Sequence, residues 1–196
     1  MPRRWVGAAL FSFVGGLLLL ASGTGAVYPE HPPAGYTGGF EEPTCRRCHF
    51  DRPLNAPGGS LTLDGAPAFY TAGARYLITV GLAKGGMRRG GFQVAARFAA
   101  GTYAGQQAGL LGPVDDRVEI VRDDSSAVRY AHHTKAGTVL TAPDTARWTF
   151  AWTSPSFPDG DVVFHVAANA ANDDASEFGD FIYVEQRLSK VEAGRK

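Results

Sequence analysis

The chain has 196 residues, 19 Lys plus Arg against 19 Asp plus Glu, and 44% apolar residues. That length supports one domain of ordinary size with a hydrophobic core and extensions, and excludes two full domains. The even charge balance excludes a polycation that binds nucleic acid by bulk charge, and equally an acidic solvated tail, so any partner has to be argued from a site.

Residues 1–26, MPRRWVGAALFSFVGGLLLLASGTGA, open with two arginines, continue in an apolar run from Trp5 to about Ala21 and end in small residues. This is the layout of a signal peptide with a helical apolar core, Thr24 and Ala26 being the small residues before the cleaved bond. Left uncleaved, the same run serves as an N-terminal membrane anchor; cleaved, it leaves no membrane span in the mature form. Either way the rest of the chain is expected outside the cytoplasm, periplasmic or secreted.

Residues 27–58 read as a leader. From Tyr28 to Thr44 the sequence YPEHPPAGYTGGFEEPT is rich in Pro and Gly without an apolar period, so it builds no core and needs a surface to lie against. TCRRCHF, Thr44 to Phe50, follows, with both cysteines of the chain in one CxxC and a histidine directly after. A turn or short helix there sets two thiols on one side, which suits thioether bonds to one porphyrin edge, with the imidazole as proximal iron ligand. On this reading Cys45 and Cys48 hold a haem c covalently and His49 ligates its iron. A structural zinc would want a further ligand pair at short spacing. A Cys45–Cys48 disulfide stays open, as does a redox pair with a reactive Cys45 thiolate.

From about residue 59 to 188 short apolar alternations begin, punctuated by Gly, Pro and Asp. Because side chains alternate along a strand, Tyr76, Ile78, Val80 and Leu82 share one face, as do Phe92, Val94, Ala96 and Phe98. The same rule turns Val118 and Ile120 inward, groups Trp148, Phe150 and Trp152, and groups Val162, Phe164, Val166 and Ala168; Phe181–Glu185 supplies a last strand. His165 alternates away from that core and reads as a rim residue. No helical period of useful length follows the signal. About eight short strands argue for an all-β fold, an antiparallel β-sandwich, since a lone sheet would leave its aromatic face wet. Residues 189–196 form a polar tail.

Candidates for a sixth iron ligand are His132 and His133, on opposite faces of one strand, and Met87 in the Gly-rich AKGGMRRGG, where Arg88 and Arg89 stand ready for propionates. Asn169 to Asp180 gathers amides and carboxylates that suit calcium in kind, though not in EF-hand spacing; a capped, solvated loop is the simpler reading. No Ser/His/Asp constellation, phosphate loop or paired-carboxylate site stands out.

GYTGGFEEPTCRRCH, YLITVGL, RRGGFQVAAR, HHT, RWTFAWTSP, VVFHVAANAAND and GDFIYV occur in this order. In that order the chain resembles the bacterial choice-of-anchor V domain family, which is distantly similar to the reelin-type (reeler), immunoglobulin-like β-sandwich. The resemblance implies haem attachment at Cys45, Cys48 and His49, and places the His of a His-Thr pair on His133, which it favours over His132. It implies no enzymatic reaction.

Two functions are therefore expected. One is an exported monohaem c-type cytochrome-like protein that passes single electrons to a redox partner, with Arg46 and Arg47 as a positive rim for an acidic one. The other is a secreted or cell-surface β-sandwich binding or adhesion module with a Cys45–Cys48 disulfide. Exposed aromatics such as Tyr36, Phe40 and Tyr103 would then meet a surface component or polymer. Either is an electron carrier or a binding module rather than an enzyme.

Overall fold

The computed structural model describes Met1 and residues 31–122, 126–157 and 159–192. The signal segment and the end of the polar tail lie outside the described residues. Ten strands appear: β1 (Gly59–Asp64), β2 (Phe69–Tyr70), β3 (Arg75–Lys84), β4 (Arg89–Phe98), β5 (Leu110–Pro113), β6 (Val118–Arg122), β7 (Arg129–His133), β8 (Thr145–Thr153), β9 (Val162–Ala171) and β10 (Phe181–Val191). They form a four-stranded sheet in the order β1-β3-β8-β5 and a six-stranded sheet in the order β2-β10-β9-β4-β7-β6. All pairings are antiparallel except that of β2 with β10, a two-residue parallel pair. Among the described residues the helical structure is confined to two short 3-10 turns, Cys45–Arg47 and Ala136–Thr138.

The alternation read from the sequence decides the core. Ile78, Val80 and Leu82 of β3, Phe92, Val94 and Ala96 of β4, Trp148, Phe150 and Trp152 of β8, and Val162, Phe164, Val166 and Ala168 of β9 are all buried between the sheets. Trp148 stacks on Phe92 at 4.8 Å and Trp152 meets Phe164 edge-on at 4.9 Å, both within the range where aromatic pairs add to their area burial. Their indole N–H groups donate to the Gly137 and Ala108 carbonyls, so neither buried tryptophan leaves a polar atom unpaired. β2 and β5 are too short to show a pattern, and β10 pairs with β9 as far as Ser189 and runs on through Val191 because its last two residues pair with β2.

The leader does find a surface. Residues 31–44 cross the outer face of the six-stranded sheet as a strap, passing over β7, then β4, then β9. Gln93 of β4, fully buried beneath it, accepts the Tyr36 N–H at 2.7 Å and donates to the Pro33 carbonyl at 2.8 Å. A small second cluster of Ala95, Val128 and Tyr130 packs against Ala34 of the strap.

Candidate functional site

The cysteine motif sits where the strap ends. Thr44 caps the turn, its hydroxyl accepting the Arg46 N–H, and the Cys48 and His49 N–H groups both donate to the Cys45 carbonyl. Arg46 closes the exit, its guanidinium donating to the Phe50 and Arg52 carbonyls. The turn then docks on the β9–β10 loop. His49 Nδ1 lies 2.8 Å from Oδ2 of the buried Asp180, which also accepts Asn169 Nδ2 and the Asn172 N–H. Asp51 accepts the Gly179 N–H at 2.9 Å, and Phe50 meets Phe178 edge-on at 5.6 Å. Asp180 thus serves as the fixed end of this contact. Within the Asn172–Gly179 loop Asp174 accepts from Ser176 and from Asn172, while Asp173 pairs outward with Arg89.

Both thiols are free. Burial pushes the Cys45 thiol up to about 12, with the adjacent Cys48 adding to the shift, although a backbone N–H partly offsets it. A thiol held there is protonated at neutral pH and is a poor nucleophile.

The description of the chain as a metal-binding, haem-carrying cytochrome is corrected. Among the described residues no group of three or more His, Cys, Asp and Glu side chains converges so as to hold a metal ion, Cys45, Cys48 and His49 included. The physical reason is that the distal candidates Met87, His132 and His133 are each engaged elsewhere. His49 turns Nδ1 onto Asp180, the contact by which a carboxylate orients an imidazole. Met87 is buried in the core at the end of the β3–β4 hairpin, and Arg89 beside it pairs with Asp173 and donates to Thr138. His133 points inward, its Nδ1 accepting the Phe92 N–H at 3.0 Å. His132 points outward under the strap, its ring 5.0 Å from that of His31 and its Nε2 3.1 Å from Glu119. Burial pushes both His132 and His133 down to about 4, with neighbouring imidazoles adding to the effect, so both rings are neutral at pH 7.

A different arrangement comes together at the strap tip, held by Thr37, Glu42 and Arg97, which the sequence does not single out. Glu42 reaches down to the buried Arg97 of β4 and pairs with it; Tyr130 of β7 donates to the same carboxylate oxygen at 2.6 Å and Thr37 to the other at 2.6 Å. This latch holds a tight turn in which Phe40 and Glu41 both have left-handed backbone, φ 52° and 67°. Gly39 lies flat on His165, where any side chain would strike the imidazole. Phe40 meets the edge of the same imidazole at 5.5 Å and lies under the Arg97 guanidinium at 5.4 Å. Between this tip and β10 runs an open groove of 510 Å³, lined by Phe40, Ala99, Val163, His165, Gln186 and Leu188. Desolvation, and then the charge of Arg97, lower the basicity of His165, while a hydrogen bond with Gln186 works the other way. The groove lining therefore carries aromatic, aliphatic, amide and imidazole groups and no carboxylate, lysine or arginine. His165, read as a rim residue, is half-buried because the strap covers it.

No family model matches the chain, and no curated protein matches it. Among solved structures it is similar to the reeler domain of human F-spondin, with 20% identity over 72% of this chain and 94% of that one and a TM-score of 0.46. It is also similar to a Reelin-N domain of F-spondin, with 18% identity over 76% of this chain and 97% of that one and a TM-score of 0.47. A third is the cohesin module from a Clostridium perfringens family 33 glycoside hydrolase, with 10% identity over 70% and 98% of the two chains and a TM-score of 0.46. These likenesses concern the fold alone. No helix among the described residues is long and apolar enough to cross a membrane.

Proposed function

We propose that the chain is an exported β-sandwich binding module of the choice-of-anchor kind, and that the groove beside the strap tip is its recognition site. The observation that supports this is the lining: an aromatic ring held in place by a strained turn, an aliphatic floor, and two uncharged hydrogen-bonding side chains. Sites for small or repeating ligands are built in this way, with a few polar groups fixing orientation over apolar contact area. The lack of formal charge suits an uncharged ligand such as a neutral polysaccharide of a cell surface. Tyr103, half exposed and tilted against Phe98 at 5.9 Å, belongs to the loop that touches Phe40 through Gly105. Cys45 and Cys48, free here, close into a disulfide in an oxidising compartment on this reading, a staple of the turn rather than a reactive pair.

The test is retention of the purified protein by a panel of insoluble neutral polysaccharides and isolated cell envelopes, beside Phe40→Ala and Leu188→Ser. Retention by at least one matrix, weakened about tenfold in either variant, is expected, since losing one buried aromatic or aliphatic anchor costs about 1–2 kcal/mol of binding. Retention unchanged in both variants, or no retention by any matrix, overturns the reading.

A further inference from the structure

We infer that the strap tip is an acid-releasable wall of this groove, and that protonation of His165 is what loosens it. The purpose assigned to the release rests on the groove being the binding site; the release itself does not.

The geometry is that of a backbone seated on an ionisable ring. Gly39 has no side chain and lies against the imidazole, and Phe40 closes over its edge. The groups that face His165 from each neighbouring element are few. From β4 comes Arg97, a cation. From β10 comes Gln186, uncharged and hydrogen-bonded to the ring. On β9 itself the neighbours on the same face, Val163 and Ala167, are apolar. From the strap comes Glu42, whose carboxylate is already taken by Arg97, Tyr130 and Thr37; Glu41, the remaining acid of the tip, is exposed.

A proton on His165 therefore places a second positive charge beside Arg97, beneath a covered surface, with no uncommitted carboxylate to meet it. With the strap down, desolvation and Arg97 disfavour the charged ring; with the strap lifted, the ring is in water and takes its proton at the ordinary value. The released state thus binds more protons, and falling pH shifts the balance toward release. The direction follows from the lowered basicity in the covered state: attachment is complete above the ordinary imidazole range and weakens below it. The tip is also ready to leave, because Phe40 and Glu41 both hold left-handed backbone that residues with side chains disfavour.

Amide hydrogen exchange on the full chain tests this at about pH 7.5 and about pH 5.5, on either side of the ordinary imidazole value. The reporters are the Tyr36 N–H on Gln93, the Gly38 N–H on Pro43 and the Glu42 N–H on Gly39. Protection factors, corrected for the intrinsic pH dependence of exchange, should fall by about threefold or more at the lower pH, while amides of β3 and β8 keep theirs. In His165→Gln, whose amide cannot take up a proton, that fall should shrink by half or more at Gly38 and Glu42, leaving only what His132 beneath the far end of the strap contributes. His132 is present in both proteins, so the difference between them reports His165. An equal fall in both proteins, or no fall in the parent, overturns the inference. Should His165→Gln not fold, titration of the His165 ring by NMR in the parent decides instead, and a midpoint at or above the ordinary imidazole value overturns it. No ligand enters either measurement, so failure of the polysaccharide assay leaves this result standing, and a strap that ignores pH leaves the groove standing.

Discussion

At the scale of single residues, the latch of Glu42 on Arg97 joins positions 55 apart in the chain. Its strength follows from what surrounds it. The Arg97 side chain keeps 5% of its surface exposed and that of Glu42 keeps 15%, so neither charge can fall back on water. Glu42→Ala strands a buried guanidinium and should cost about 3 kcal/mol, whereas Tyr130→Phe, which removes one donor and leaves the ion pair, should cost about 1 kcal/mol. Urea midpoints at neutral pH rank the two, and a smaller loss for Glu42→Ala than for Tyr130→Phe would show that the pair is not the anchor. The sequence carries no trace of this pairing. Arg97 alternates with core residues in RGGFQVAARF, which turns it outward, and an alternation says which face a side chain takes and not whether something covers that face. Cys45, Cys48 and His49 are legible for the opposite reason: their relation is contained within five consecutive positions. What the spacing leaves unsaid is the partner of His49, since Asp180 arrives from a loop more than a hundred residues away. Spacing alone suggests a metal ligand; the fold adds that the same imidazole docks through Nδ1 on Asp180.

At the scale of elements, the strands with long alternation, β3, β4, β8 and β9, are readable because burial on one face forces the period of two. The strap is not, because a Pro- and Gly-rich segment has no period, and its course is dictated by Gln93, Arg97 and His165 beneath it. That course can be tested through its backbone. Glu41 is exposed and left-handed, so Glu41→Gly relieves a cost of about 1 kcal/mol that a side chain bears there, and should slow exchange of the strap amides. Gly39→Ala acts in the other direction, because the added methyl meets the His165 ring and either the strap or the imidazole has to move. Faster strap exchange in Gly39→Ala with an unchanged core is the expected signature, and equal exchange in the two variants would mean that the tip is not seated on β9. The cysteine turn makes a separate prediction. Protein recovered from an oxidising compartment and blocked with maleimide before reduction should take up no label and weigh two hydrogens less than the dithiol. Two labels per chain would remove the disulfide from the proposed function.

At the scale of the whole molecule, the two histidines of β7 tie its stability to pH. His132 is fully buried and His133 nearly so, both are held neutral, and both are lowered to about 4 from the ordinary 6.5. In the unfolded chain each titrates at its ordinary value. Between about pH 6.5 and about pH 4 the unfolded state therefore binds more protons, and stability falls as pH falls through that window and levels off above it. The two rings are neighbours, 6.3 Å apart, so their costs are shared, and a few kcal/mol for the pair is the scale to expect. Neutral replacement separates this global effect from the local one at the strap. His133 lies inside the sandwich, so His133→Gln should flatten the acid limb of the urea midpoint while leaving the pH response of the strap amides in place. His165→Gln should do the reverse. If both variants flatten both responses, the strap and the sandwich unfold as one cooperative unit, and the groove wall has no independent motion for acid to release.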